Sequence, residues 1–320
     1  MKYVYKKLTI DSYLASLYHD GFKHSSKHSE EELKNIILNI GIFKFKGYVK
    51  AFRTNVSSYS MDDILNVYYA DREVALNMFR LSSQVEIKLK SILIEIAYSL
   101  TDNPFFYLIK ENYNEIGFSI KGEAISDWEV KAPHPQQKTE IYQYYQDYYL
   151  GRYDFESNKE FYLKDKELLN FGNTRTINYP PFHYFVENMT LGALISMISH
   201  LMIDGQSILK LIASKFNMYD SHVFLNYLLR LKELRNRCAH NGRIFNRNYR
   251  GVKAHGKHKE FRKIIYEHKL IDVYYAFCWL LNGKNKFETT EKLIEAFTDE
   301  IFKDCETNTK DLMVNIMRTR

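Results

Sequence analysis

The sequence has few cysteines and lacks an apolar segment long enough to act as a signal or an anchor. Its three cysteines, Cys238, Cys278 and Cys305, show no CxxC or metal-ligand spacing, which argues against a disulfide framework and fits a reducing compartment. The N-terminal stretch contains no apolar signal core. The longest apolar-leaning run, residues 189–203, is interrupted by Ser and His and is too short to span a bilayer. These absences predict a cytoplasmic protein that does not enter a membrane.

Internal repeats, low-complexity stretches and strong strand patterns are also absent from the sequence. The 320 residues are 45% hydrophobic and 26% charged, which is typical of a globular protein with one large or two modest domains. The formal net charge of +6 favours polyanionic partners. Aromatic residues make up 15% of the chain, and either core packing or stacking on nucleobases can account for that share.

An all-α fold is predicted because helix start and stop signals recur along the chain. Two capping boxes, Ser29 to Glu32 and Ser60 to Asp63, each open a helix. The alternating segment 41–48 between them is interpreted as a short strand or an aromatic turn. The helix that Ser60 opens is expected to reach about Tyr69. A separate long helix is expected after residues 71–72, because an apolar pattern without Pro or Gly continues to about residue 100.

The expected organisation is an N-terminal helical and aromatic segment, residues 1–58, followed by a helical domain, residues 59–320. Periodicity weakens and prolines break the chain in the middle of that domain, which predicts an aromatic insertion at about residues 107–184. The alternative is that both parts form one compact unit.

Residues 225–250 carry the strongest indication of function. The first half of this segment is an amphipathic helix whose apolar stripe contains Phe224, Tyr227, Leu228, Leu231, Leu234 and Cys238. Arg235 falls in the middle of this stripe, where a guanidinium is costly unless it is paired or opens onto a cleft. Asn241 and Gly242 form a good C-terminal cap, so His240 falls where the helix ends.

Arginine and histidine suit the cleavage of RNA without a metal. Histidine has an unperturbed pKa of about 6.5, so it can take a proton from a ribose 2′-hydroxyl or supply one to the leaving 5′-oxygen. Arginine stays charged and binds phosphate oxygens. Asn236 can orient the phosphate or the histidine. Arg235 and His240 lie about 140° apart on a regular helix, so they converge only if the helix frays at Ala239 or a second copy supplies the partner group.

The segment from Arg235 to His240 resembles the R-N-x-x-x-H signature of the HEPN superfamily of ribonucleases. The wider segment, to Arg247, resembles the Abi-like abortive-infection proteins of bacteria, of the AbiD and AbiF type. The likeness covers most of the chain and is weakest between about residues 112 and 179. It implies an up-down four-helix core and two motifs that meet at a homodimer interface. It also implies that Arg235 and His240 are the catalytic pair, with Asn236 assisting.

Positive charge accumulates directly after this motif. The residues predicted to bind RNA phosphates are Arg237, Arg243, Arg247, Arg250, Lys253 and Lys257. The alternative is a solvated basic loop, and Arg237 and His240 also suit a helix C-terminus electrostatically. His255 and His258 have no Cys or carboxylate partner at ligand spacing, so no metal or cofactor is expected.

The hypothesis from the sequence is a phage-defence endoribonuclease that needs no metal, acts as a homodimer and is restrained by a partner RNA. A non-catalytic RNA-binding protein, or a ribonucleoprotein component of a defence system, is the first alternative. A protein–protein adaptor that senses a phage component is the second.

Overall fold

The protein is mostly helical in the part of the chain that the structure describes. The computed structural model describes residues 7–104, 106–113, 181–187, 189–253 and 270–282. Within these ranges the only sheet is a two-stranded antiparallel hairpin, formed by β1, Met202–Ile203, and β2, Gln206–Ser207. The predicted all-α class is therefore confirmed. In the same ranges no helix has both the length and the apolar character needed to cross a membrane.

The described residues contain nine helices. In chain order they are α1 Ile10–His19, α2 Glu30–Ile40, α3 Ile42–Val49, α4 Met61–Leu100, α5 Phe182–Glu187, α6 Leu191–His200, α7 Ile208–Lys215, α8 Ser221–Ala239 and α9 Leu270–Asn282. Short 3-10 turns follow α3 and α4, at Lys50–Phe52, Val56–Ser58, Phe106–Leu108 and Lys110–Asn112.

Side-chain caps explain where several helices begin. The N-cap side chains of Thr9, Ser29, Ser60, Thr190 and Asp220 each accept a hydrogen bond from a backbone N–H of the following first turn. Both predicted capping boxes, at Ser29 and Ser60, are present. These caps satisfy donors that have no partner inside the helix.

Residues 42–49 form helix α3, so the interpretation of segment 41–48 as a strand or a turn is wrong. Gly41, with a φ of 88°, ends α2 and lets the chain turn directly into α3. Phe45, Tyr48 and Val49 are buried, whereas Phe43 is exposed. The buried positions therefore follow helical spacing, and the alternation of apolar residues with lysines is a misleading local pattern.

Helix α4 is one continuous helix of 40 residues, so the predicted separation of two helices around residues 70–72 is wrong. No Pro or Gly interrupts it. Asp71 and Arg72 lie within the helix and do not form a turn. Their side chains form hydrogen bonds with α3 and with the segment after α8, which explains why polar residues stand at these positions. Their polarity serves tertiary contacts and leaves the backbone of α4 helical.

Two hydrophobic cores lie along α4. The first turns of α4, up to Ala70, belong to the core of α1, α2 and α3. From Val74 onward, α4 belongs to a second core that it shares with α5 to α9. The segment after α8 also reaches both cores, since Phe245 lies in the first and Ile244 in the second. The domain boundary between residues 58 and 59 stays a prediction.

The two ends of the predicted mid-chain insertion lie against each other. The rings of Phe106 and Phe182 are 4.6 Å apart between centroids, and those of Tyr107 and Phe185 are 4.4 Å apart. The backbone N–H of Phe182 donates to the Pro104 carbonyl at 2.9 Å. Aromatic contacts thus join the end of α4 to α5, while most of the insertion lies outside the described residues.

The cap of α4 gives a test of this fold. Ser60→Ala removes the hydroxyl that accepts the Asp63 N–H at 3.3 Å. We expect the free energy of unfolding to fall by about 1 kcal/mol, measured by urea titration followed by circular dichroism. Ser58→Ala is the matched control, because Ser58 is exposed and lies outside the cap. Equal losses in the two variants would contradict the role of the cap.

Candidate functional site

The R-N-x-x-x-H motif lies at the C-terminal end of α8, where the backbone is firmly determined. Asn241 has a φ of 53° and its N–H donates to the Cys238 carbonyl at 3.0 Å, while the Gly242 N–H donates to the Arg237 carbonyl at 2.8 Å. These two bonds form a Schellman motif, which confirms the predicted cap. A Cβ at Gly242 would lie 2.9 Å from Arg237 Cγ, so this close approach requires glycine.

Helix α8 does not fray before the histidine. Its hydrogen bonding continues through Ala239, and the His240 N–H donates to the Asn236 carbonyl at 3.0 Å. Of the two conditions under which the motif residues would converge, fraying at Ala239 is therefore not met. Arg235 and His240 of one chain project in different directions from a regular helix. Asn236 and His240 are both exposed at this end of α8.

Arg235 lies at the edge of the apolar stripe and packs against α4. The predicted stripe residues are buried, except that Cys238 is only partly buried, whereas the Arg235 side chain is 32% exposed. Its Nη2 lies 3.8 Å from Glu86 Oε2, and its Cζ lies 5.8 Å from the centroid of the Phe79 ring. Its Nη1 donates to Asn236 Oδ1 at 3.3 Å. The guanidinium is thus both paired and open to solvent.

Glu86 links Arg235 to the body of the protein. Its second carboxylate oxygen lies 3.6 Å from Lys90 Nζ, and Lys90 in turn donates to the Glu187 carbonyl at 2.9 Å. Lys90 is buried, so the bond to this carbonyl partly compensates for its desolvation. Neither residue was assigned a role from the sequence. The sequence pattern that could have indicated such a role is the i,i+4 spacing of the opposite charges Glu86 and Lys90 on an apolar helix face.

A buried carboxylate, Asp71, holds the segment that follows the motif. It is 2% exposed and accepts hydrogen bonds from the Phe245 N–H at 2.6 Å, the Ile244 N–H at 3.4 Å and the Tyr48 hydroxyl. Arg72 Nη2 also donates to it, at 2.6 Å. The oxygens of Asp71 thus bind donors from α3, from α4 and from the segment after α8, which compensates for burying the charge.

Arg72 connects this carboxylate to the turn beside His240. Its Nη1 donates to Asn241 Oδ1, and its Nη2 donates to the Gly242 carbonyl at 2.9 Å and lies 3.4 Å from the Tyr48 hydroxyl. The guanidinium therefore fixes the side chain and the carbonyl of the two residues that directly follow His240. Its role was not found from the sequence, because contacts between α4 and the end of α8 are tertiary.

A groove of about 440 Å³ opens between α4 and the end of α8. It is lined by Arg72, Ala75, Leu76, Phe79, Cys238, Ala239 and Asn241. Burial, assisted by the negative charge of Asp71, raises the pKa of the Cys238 thiol to about 12. The thiol is therefore protonated at neutral pH and is a poor nucleophile. The groove presents an apolar wall with a polar end at the motif.

An exposed apolar stripe on α4 continues this wall. It consists of Tyr69, Leu76, Phe79 and Ile87, which are 48%, 63%, 37% and 65% exposed. On a regular helix these positions fall within about 80° of one another. These apolar residues are exposed because α4 buries one face against the other helices and presents them on another. Exposed apolar surface of this kind marks interaction sites.

The residues predicted to bind RNA phosphates fall into two groups. Arg237 and Arg243 are partly buried: Arg237 Cζ lies 5.6 Å from the Tyr249 ring centroid, and Arg243 Nη1 donates to the Gly47 carbonyl. The exposed residues are Arg247, Arg250 and Lys253. Lys257 lies outside the described residues, as do His255 and His258.

Groups of three His, Cys, Asp or Glu side chains able to hold a metal ion are not found among the described residues. The motif itself offers the chemistry of a histidine, an amide and a guanidinium. An exposed imidazole can transfer protons, and a guanidinium beside a cleft can bind a phosphate group.

Comparison with known families gives one match. A family model described as Abi-like protein matches residues 35–246, which is more than half of the chain. The chain therefore belongs to the Abi-like protein family. The matched range begins within α2 and includes Asp71, Glu86 and the motif. No curated protein and no solved structure shows significant similarity to the chain.

The buried carboxylate gives a test of how the motif is held. Asp71→Asn keeps the size of the side chain but removes the charge that pairs with Arg72. We expect the free energy of unfolding to fall by about 3 kcal/mol, because the Arg72 guanidinium and the Tyr48 hydroxyl lose their shared acceptor. Glu73→Gln, at an exposed position two residues further along α4, is the control. A loss in Asp71→Asn no greater than in this control, measured by urea titration, would rule out the central role of Asp71.

Proposed function

We propose that this protein is a metal-independent endoribonuclease that acts in abortive infection, with Arg235, Asn236 and His240 as its catalytic residues. Membership of the Abi-like family supports a role in abortive infection, that is, in phage defence. The single observation that best supports the chemistry is the arrangement of the motif side chains at the end of α8. There an exposed histidine follows a rigid helix, and an arginine of the same helix lies beside the groove.

The reaction needs a base, an acid and a fixed cation. The His240 imidazole takes the proton of a ribose 2′-hydroxyl, whose oxygen attacks the adjacent phosphorus. The bond from phosphorus to the 5′-oxygen breaks, and a protonated imidazole returns a proton to that oxygen. Arg235 stabilises the negative charge that develops on the phosphate oxygens, and Asn236 assists by hydrogen bonding. The products are a 2′,3′-cyclic phosphate and a 5′-hydroxyl.

A second copy of the chain completes the site in this proposal. Because α8 is regular through Ala239, one chain directs Arg235 and His240 away from each other. The apolar stripe of α4 lies beside both the groove and Arg235, since Phe79 contacts the Arg235 guanidinium. A two-fold contact along this stripe buries the exposed side chains and sets the two motifs face to face.

A partner RNA restrains the enzyme in this proposal. An active ribonuclease harms the cell that makes it, so it must be held inactive until infection. The exposed cations after the motif, Arg247, Arg250 and Lys253, support this step because they can bind a phosphate backbone close to the catalytic residues.

The histidine is tested by substitution. We expect His240→Ala to lower the rate of cleavage of single-stranded RNA in EDTA by about 10²–10⁴-fold, because the base and acid are lost. RNA binding should be kept. His222→Ala is the matched control, since His222 is exposed near the other end of the same helix. The measurements are cleavage of a labelled oligoribonucleotide and mass spectrometry of the product ends.

Three results would contradict this proposal. If His240→Ala still cleaves RNA, His240 is not a catalytic residue. If EDTA abolishes cleavage, the mechanism is not independent of metal ions. Binding of RNA without any cleavage by the unmodified protein would instead indicate a non-catalytic RNA-binding protein.

The second copy is tested on the α4 stripe and by mixing. We expect Ile87→Lys to shift the protein from dimer to monomer in analytical ultracentrifugation and to abolish cleavage. Leu38→Lys, at a 54% exposed apolar position of α2, should change neither. Inactive Arg235→Ala and His240→Ala proteins should regain activity when mixed and allowed to exchange subunits. A fully active monomer, or two variants that stay inactive on mixing, would contradict a shared site.

A further inference from the structure

One face of α3 combines an exposed aromatic ring with positive charge. Phe43 is 81% exposed, although the other aromatic residues of this helix, Phe45 and Tyr48, are buried. Lys46 and the adjoining Lys50 are also exposed. On a regular helix Phe43, Lys46, Gly47 and Lys50 fall within about 100° of one another. The ring therefore has two lysines on one side and Gly47 on the other.

The side of this face at Gly47 carries a guanidinium from the segment after α8. Arg243 Nη1 donates to the Gly47 carbonyl, and its Cζ lies 5.7 Å from the Tyr48 ring centroid. A Cβ at Gly47 would lie 3.1 Å from Arg243 Cζ, so the glycine leaves space for this contact. Positive charge thus flanks Phe43 on both sides, from α3 itself and from Arg243.

The charge extends from here to the motif. Arg243 is three residues beyond His240, so its side chain bridges the end of α8 and α3. Arg247 is exposed and lies four residues beyond Arg243 in the same segment. Burial, and next the positive charge of Arg247, lower the pKa of Arg243. Asp71 is the carboxylate whose charge acts on Arg243, and it is buried and already accepts from Tyr48, Arg72 and two backbone N–H groups.

We propose that Phe43, Lys46, Lys50, Arg243 and Arg247, here called the Phe43 patch, form a binding surface for single-stranded RNA that leads to the motif. Phe43 stacks on a base, and the cations bind the phosphates on either side of it. Arg243 contributes its charge while it holds the patch to the end of α8. This inference rests on the proposed function, because it assigns to the N-terminal helices the part of the RNA that lies outside the catalytic site.

Charge complementarity favours this occupant over another protein. A large exposed ring between cations matches a polyanion that also carries flat aromatic groups, and single-stranded RNA offers both in alternation. Duplex RNA keeps its bases stacked inside the helix, so its backbone would engage the cations but not the ring.

The test uses the full chain carrying His240→Ala, so that the RNA stays intact. Binding of a fluorescent single-stranded oligoribonucleotide is measured by anisotropy over a series of salt concentrations. We expect Phe43→Ala to weaken binding about tenfold. Phe43→Trp should restore it, and Phe43→Leu should not, because stacking needs a ring. Replacing Lys46 and Lys50 by Gln should lower the slope of log affinity against log salt by about 1.4, that is, about 0.7 for each lost phosphate contact on a single strand.

Matched controls come from exposed positions on other helices or turns. Tyr219 is 81% exposed, as Phe43 is, so Tyr219→Ala removes an equally exposed ring. Lys210→Gln removes an exposed lysine of α7. Neither should change the affinity or the salt slope. Thermal unfolding of every variant shows whether a loss of binding reflects a loss of fold.

Several outcomes would overturn the inference. If Phe43→Ala and the lysine variant both bind single-stranded RNA with the affinity of the parent protein, the Phe43 patch is not a binding surface. An equal effect of Phe43→Ala on binding of duplex RNA or heparin removes the stacking assignment. These results are separate from the test of catalysis. If unmodified protein cleaves RNA while the patch variants bind normally, only this inference fails. If the patch binds RNA but unmodified protein never cleaves it, only the proposed catalysis fails.

Discussion

The structure depends on the burial of one carboxylate, Asp71. A charge at 2% exposure is stable only when donors surround it, and here they come from a tyrosine of α3, an arginine of α4 and two backbone groups after α8. Because these donors belong to three different segments, satisfying the charge fixes the segments relative to one another. The two hydrophobic cores meet at this point, where the segment after α8 contributes Ile244 to one and Phe245 to the other.

The motif inherits its geometry from that arrangement. Arg72, which pairs with Asp71, also donates to the Gly242 carbonyl in the turn beside His240. The Schellman motif fixes the backbone of that turn. Arg235 is held separately, through Glu86 to Lys90 and the Glu187 carbonyl. The histidine and the arginine are thus positioned by different parts of α4, and the length of that helix is what places both supports on one rigid element.

The sequence alone predicts those features of the fold that depend only on neighbouring residues, such as helix caps and turns. The caps at Ser29, Ser60 and Asp220, and the turn at Asn241 and Gly242, depend on neighbouring residues and are readable from the sequence. The partners of Arg235 and Arg72 are not, because Glu86 and Gly242 meet them only through helix packing. Helix α3 was misread for the same reason: its alternation is local, whereas the burial of Phe45, Tyr48 and Val49 depends on α4 and on Phe245. Exposure of Phe79 and Ile87 likewise follows from which face of α4 the other helices cover.

The aromatic contacts of Phe106 with Phe182 and of Tyr107 with Phe185 have an evolutionary consequence. They hold together the two points between which residues 114–180 run, so a change in the length of that segment leaves these contacts in place. Insertions and deletions between residues 113 and 181 can therefore accumulate without moving α4 or α5. The donors that surround Asp71 come from residues outside this stretch, so a change in its length leaves them in place.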